Sequence, residues 1–158
     1  MNTQGTAAVD GPGRARAVPS EGSDADRTLN LTLDAVIAGE VATVPLDARL
    51  PTALHLMATT GVRHLPVVNR GWCEGLLLEI DLVVRTARAG HPEAALLTAG
   101  DLQRPAPQLP PTARVSDAAR LMARSGSDAV LVTAGGRVLG VVTATDLVRL
   151  IARPDSGR

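Results

Sequence analysis

Sliding the chain against itself by 65 residues brings prolines, glycines and an acid into one register. Pro45, Ala48, Arg49, Ala53, Leu56, Met57, Ala58 and Gly61 fall on Pro110, Ala113, Arg114, Ala118, Leu121, Met122, Ala123 and Gly126. Further on, Val67, Gly71, Gly75, Asp81, Leu82 and Val83 fall on Val132, Gly136, Gly140, Asp146, Leu147 and Val148. That is 14 identities over the 43 ungapped positions from Val44 to Thr86, and several other pairs exchange one apolar residue for another. A chain rich in Ala, Leu and Val gives chance matches, but not this set in one register. The sequence therefore holds two copies of one supersecondary unit.

Each copy has the same local grammar. A short extended piece (Val41 to Val44; Pro107 to Leu109) precedes a helix with apolar spacing, Ala53, Leu56, Met57 and Thr60 in the first copy and Ala118, Leu121 and Met122 in the second. Pro51 suits a first helical turn, Ser116 suits an N-cap, and Gly61 and Gly126 stand where a left-handed residue ends a helix. Two apolar runs follow, Leu65 to Val68 with Gly75 to Leu78, and Val130 to Thr133 with Val138 to Thr143. Turns of three to five residues make each pair a hairpin. A closing helix starts near Asp81 or Asp146, and lead-in helices are expected over Leu31 to Ala38 and Ala94 to Leu102. The fold class is α/β (α+β): two β-α-β-β-α repeats related by a pseudo-two-fold, sheet against sheet. A unit this small has too little core to stand alone. The expected division is a disordered tail over residues 1–27, repeat 1 over 28–90, repeat 2 over 91–152 and a short tail over 153–158.

Composition removes several function classes. The 16 basic and 16 acidic residues cancel, and every cation is Arg. A zero net charge argues against nucleic acid and against an anionic membrane as partners. Trp72 is the only aromatic side chain, so base-stacking platforms are excluded. The single Cys73 allows neither an intrachain disulfide nor a multi-cysteine metal site, and no two of the three histidines have metal-ligand spacing. No apolar run reaches a membrane span and no secretory signal opens the chain, so the expected compartment is cytoplasmic. No nucleophile with a base, acid/base pair or metal cluster emerges, and the chain reads as a non-enzyme.

The residues Val44-Pro45, Ala53-Leu54-His55-Leu56-Met57 and Gly61-Val62-Arg63-His64-Leu65-Pro66-Val67-Val68 resemble the CBS domain, as do Asp117-Ala118-Ala119-Arg120-Leu121-Met122 and Gly140-Val141-Val142-Thr143-Ala144-Thr145-Asp146-Leu147. The resemblance covers roughly Leu31 to Ala152. It implies a tandem pair (a Bateman module) that is regulatory rather than catalytic. Such a pair binds an adenosine-containing ligand (AMP, ADP, ATP or S-adenosylmethionine) between its repeats, requires no cofactor, and signals through an effector protein. It also implies a homodimer, for which the faces around Leu56/Met57 and Leu121/Met122 offer a surface, although the same residues would equally pack within one chain.

The resemblance places a ribose-binding signature on Thr143, Thr145 and Asp146. A carboxylate accepts from both ribose hydroxyls, and two hydroxyls on one side of an extended segment add polar partners. The same Thr-x-x-Asp spacing before an apolar helix is also a capping arrangement. Leu78-Glu79-Ile80-Asp81 keeps the acid and loses both hydroxyls, so Asp81 reads as a helix-start residue. Val62, Arg63 and His64 lead into the following strand, where the resemblance places groups for the base and phosphate. They are expected to face the Asp146 cleft, although they also read as plain surface residues. Their counterparts Asp128-Ala129 would repel phosphate, which disfavours the Asp81 cleft. One ligand site per chain is the expectation; the alternative is a ligand-free dimerisation or scaffold module with decayed sites.

Overall fold

The computed structural model describes residues 22–37 and 39–153. Two short helices come first, α1 (Asp24–Leu29) and α2 (Leu33–Val36). The first unit is β1 (Val44–Pro45), α3 (Leu50–Thr60), β2 (His64–Asn69), β3 (Trp72–Leu78) and α4 (Glu79–Ala89). Two more short helices, α5 (His91–Ala94) and α6 (Ala99–Leu102), connect it to the second. That unit is β4 (Gln108–Leu109), α7 (Val115–Ser125), β5 (Ala129–Ala134), β6 (Arg137–Thr143) and α8 (Ala144–Ile151). The order is the expected β-α-β-β-α, twice.

In each sheet the first strand runs parallel to the second, and the second pairs antiparallel with the third. Leu65 opposes Leu77 as Val130 opposes Val142. The register slips between Val67 and Val68 and again between Val132 and Thr133, so even the β-bulge is repeated. Helices α3 and α7 end on Gly61 and Gly126, at φ 72° and 66°. They bury Ala53 with Met57, and Ala118 with Met122.

Several local readings need correction. The hairpin turns hold two residues each, Arg70-Gly71 and Gly135-Gly136, all four at positive φ. This is the backbone that lets a two-residue turn follow the strand twist. Arg114, not Ser116, is the N-cap of α7, and its backbone N–H donates to Asp117 Oδ2 at 2.9 Å. The first strand is Val44–Pro45 rather than a run from Val41, because only these residues find partners on β2. The lead-ins are shorter than expected, with Leu33–Val36 alone helical in the first and a break between α5 and α6 in the second. The expected tail is structured at its end: Ser23 caps α1 through a reciprocal bond with Asp26. Residues 1–21 and 154–158, which make up the rest of the expected tails apart from Arg153, lie outside the described residues.

The lead-ins cross over. Leu33, from the segment before repeat 1, is fully buried in the core of repeat 2 with Val115, Ala118, Val130 and Leu147. Its N–H donates to the Ala113 carbonyl at 2.8 Å, Thr32 pairs with Arg114, and α1 lies against α7 and α8. Conversely, Ala99 of α6 is buried in the core of repeat 1 with Leu50, Met57 and Leu65, and its N–H donates to the Ala48 carbonyl. A third cluster joins the two sheets: Leu76 of β3 packs with Ala129 and Leu131 of β5. At the hairpin tips, Cys73 N–H donates to the Gly136 carbonyl at 2.8 Å, and the half-exposed Trp72 ring covers Gly136 so closely that a side chain there has no room. Among the described residues, no helix is long and apolar enough to cross a membrane.

Candidate functional site

The Gly61 end of α3 delivers Val62, Arg63 and His64 to the start of β2, and the end of β6 delivers Thr143 to the start of α8. Between these two edges lies a cavity of about 430 Å³. Val62, Arg63, His64, Thr143, Thr145 and Asp146 all line it, so the six residues singled out from sequence meet around one space. Val141, Asp128 and Arg149 line it too, and sequence reasoning assigned none of these to this cleft. Arg149 escaped because its counterpart in the repeat is Val84; its signal was its place one helical turn beyond Asp146.

Asp146 forms the capping arrangement. Its Oδ2 accepts from Thr143 N–H at 2.9 Å and from Thr143 Oγ1 at 2.7 Å, and Thr143 Oγ1 accepts from Asp146 N–H at 3.2 Å. The cap consumes one carboxylate oxygen; among the described residues, Oδ1 has no hydrogen-bond partner. Capping and a free acceptor thus coexist, and the cap fixes the carboxylate's orientation at the cavity wall. Thr143 and Thr145 are not two residues of one extended segment, because the strand ends at Thr143 and Thr145 belongs to α8.

The cations of the cavity differ in commitment. Arg63 is exposed, and its Nε lies 3.7 Å from Glu79 Oε2, a loose surface pair. His64 is 14% exposed, with Nε2 3.0 Å from Asp128 Oδ1. Asp128 therefore borders the Asp146 cavity rather than only the other cleft. Its backbone explains why: the Asp128 carbonyl accepts from Ala144 N–H at 2.8 Å, pinning Asp128 beside the start of α8. Arg149 has no carboxylate within 4 Å among the described residues.

The matching cleft of repeat 1 is smaller, about 260 Å³, and is lined by Leu78, Glu79, Ile80 and Val83 with Arg63, His64 and Asp128. Asp81 does not line it. Without a hydroxyl on the N-cap Leu78, no side-chain cap forms, and the Asp81 carboxylate pairs instead with Arg104. Asp81 faces a separate depression with Arg85, Arg88 and Asp101. Hydrogen bonds from Thr98 hold the Asp101 carboxyl below the usual range. Cys73 is half-buried in β3, and burial pushes its thiol up, the reverse of an activated nucleophile. Among the described residues, no group of three or more His, Cys, Asp or Glu is placed to hold a metal ion.

Comparison with known proteins agrees on the fold. The family model for the CBS domain matches residues 34–86 and 99–153. The CBS domain of a CBS-domain-containing membrane protein from Sphaerobacter thermophilus superposes with a TM-score of 0.69 at 22% identity, over 80% of this chain and 91% of that one. A hemolysin-like protein containing a CBS domain from Oenococcus oeni gives 0.69 at 18% identity, over 82% and 96%. The CBS domain of a bacterial CNNM/CorC-family Mg2+ transporter, solved in complex with ATP, gives 0.68 at 18% identity, over 80% and 92%. No curated protein matches the chain in sequence.

Proposed function

This chain belongs to the CBS-domain family, as a tandem pair, and we propose that it is a regulatory module that binds an adenosine-containing ligand in the Asp146 cleft. The observation that carries the reading is Asp146: one oxygen is locked by Thr143, and the other is left without a partner beside a cavity of about 430 Å³. Ribose offers two adjacent hydroxyls to such an acceptor, and Thr145 stands beside it. Val62 and Val141 provide an apolar lining for the base, and Arg149 provides a donor for a phosphate, with Arg63 and His64 on the same wall facing Glu79 and Asp128. The ATP complex of a structural neighbour supports the same ligand class. In this reading the response passes to a partner protein.

The module acts as a homodimer in this reading, but not through the expected faces. Met57 and Met122 are buried within the chain. Four exposed apolar side chains gather instead on α4 and α8: Ile80, Val83, Val148 and Ile151 are each more than half exposed. An isologous contact over these helices would cover them, and light scattering that returns only a 16.3 kDa species would refute the dimer.

Thermal denaturation with AMP, ADP, ATP and S-adenosylmethionine tests the ligand. Binding to the folded state alone adds about 2.7 kcal/mol at a hundredfold excess over Kd. No shift with any of the four would favour the scaffold reading, in which the dimer surface is the working part.

A further inference from the structure

Resting on that adenosine reading, we propose that the Asp146 cleft selects a nucleoside monophosphate, with Arg149 holding the phosphate and Asp128 limiting the number of phosphates. Arg149 lies on α8 three residues beyond Asp146, so the two side chains share one face of the helix about one turn apart, roughly 5 Å along the axis. A ribose held on Asp146 Oδ1 carries its 5′ substituent about that far from its hydroxyls. The Arg149 guanidinium is the cavity cation without a carboxylate within 4 Å among the described residues, so it is free to take two phosphate oxygens at once. In repeat 1 the same position is Val84, which confines the arrangement to this cleft.

The remaining polar lining sets the limit. Arg63 already meets Glu79, and His64 already meets Asp128, whose side chain is 62% exposed at the cavity. A second and third phosphate run into a lining where a carboxylate stands and both other cations already face carboxylates, His64 closely and Arg63 loosely. Each added negative charge then meets repulsion without a fresh donor. S-adenosylmethionine fails for the opposite reason: its cationic sulfonium occupies the place where Arg149 expects an anion.

Calorimetry on the full chain with adenosine, AMP, ATP and S-adenosylmethionine, divalent metal chelated, decides the matter. AMP is expected to bind at least about fivefold tighter than ATP and tighter than S-adenosylmethionine. Arg149→Gln should weaken AMP about tenfold while leaving adenosine within about twofold, and Asp128→Asn should narrow the gap between AMP and ATP. Arg149 is exposed, so an unchanged ligand-free melting temperature confirms that the variant is folded. Equal affinity for AMP and ATP, or equal losses of AMP and adenosine in Arg149→Gln, would overturn the monophosphate assignment while leaving the adenosine reading intact. If adenosine and all three others fail to bind, the adenosine reading falls and this inference with it.

Discussion

Asp146 and Asp81 occupy matching places, each the third residue of the helix that closes its unit, and the two carboxylates end up in different surroundings. In repeat 2 the residue before the helix is Thr143, whose N–H and hydroxyl hold one oxygen and leave the other at the cavity. In repeat 1 that residue is Leu78, which offers no hydroxyl. The Asp81 side chain is only 15% exposed, its Oδ1 pairs with Arg104, and its Oδ2 is buried without a partner. Arg104 also pairs through its backbone with Leu76, so the acid now ties the connecting segment to β3 and α4. A single N-cap hydroxyl separates an acid held ready at a cleft from one recruited into the framework.

Substituting the two acids breaks this comparison most severely. Asp146→Ala should cost about ten- to a hundredfold in AMP affinity, the loss of a charged hydrogen bond worth about 1.5–3 kcal/mol. Asp81→Ala should leave affinity nearly unchanged, and calorimetry that finds equal losses would refute the asymmetry. The two bulge glycines come next, read by urea denaturation. A Cβ at Gly75 would sit 2.6 Å from the Arg104 carbonyl oxygen, a backbone atom that cannot step aside, whereas at Gly140 it meets the Ile37 side chain. Gly75→Ala should therefore destabilise by about 2–3 kcal/mol and Gly140→Ala by about 1 kcal/mol. Arg104→Ala leaves a largely buried Asp81 charge unpaired and should cost about 1–2 kcal/mol, more than Asp81→Ala, which removes that charge as well. Equal costs would mean that the ion pair carries no weight. The smallest effect is expected from Thr143→Ala, about 1 kcal/mol for a lost cap, with a parallel loss of AMP affinity as Asp146 loses its anchor. Unchanged affinity in that variant would show that the cap does not position the carboxylate.

Unit order and the glycine ends of α3 and α7 were legible because the repeat prints them twice. Gly61 and Gly126, or Gly75 and Gly140, mark one backbone event in two places. The six cleft residues could be grouped because the repeat and the resemblance together implied which edge faces which. Whatever breaks the repeat stayed hidden. Arg104 has Gly39 as its counterpart, so nothing in the pattern announced a partner for Asp81 some 23 residues upstream. Asp128 was weighed only against the other cleft, because a counterpart read off by offset says nothing about which side of a boundary its carboxylate reaches. The lead-in helices were visible, but periodicity marks a buried face without saying which unit buries it.

Those exchanged lead-ins bear on how such a chain could be taken apart. Deleting one repeat does not leave the other whole, since the survivor's core is completed by Leu33 or Ala99 from the segment before its twin. A half-length chain would carry the right helix for a neighbour and lack the one it needs itself. Two such halves would complete each other only by trading those helices between molecules. The full chain is in effect that reciprocal exchange made permanent by a peptide bond, and it should melt in one transition rather than two.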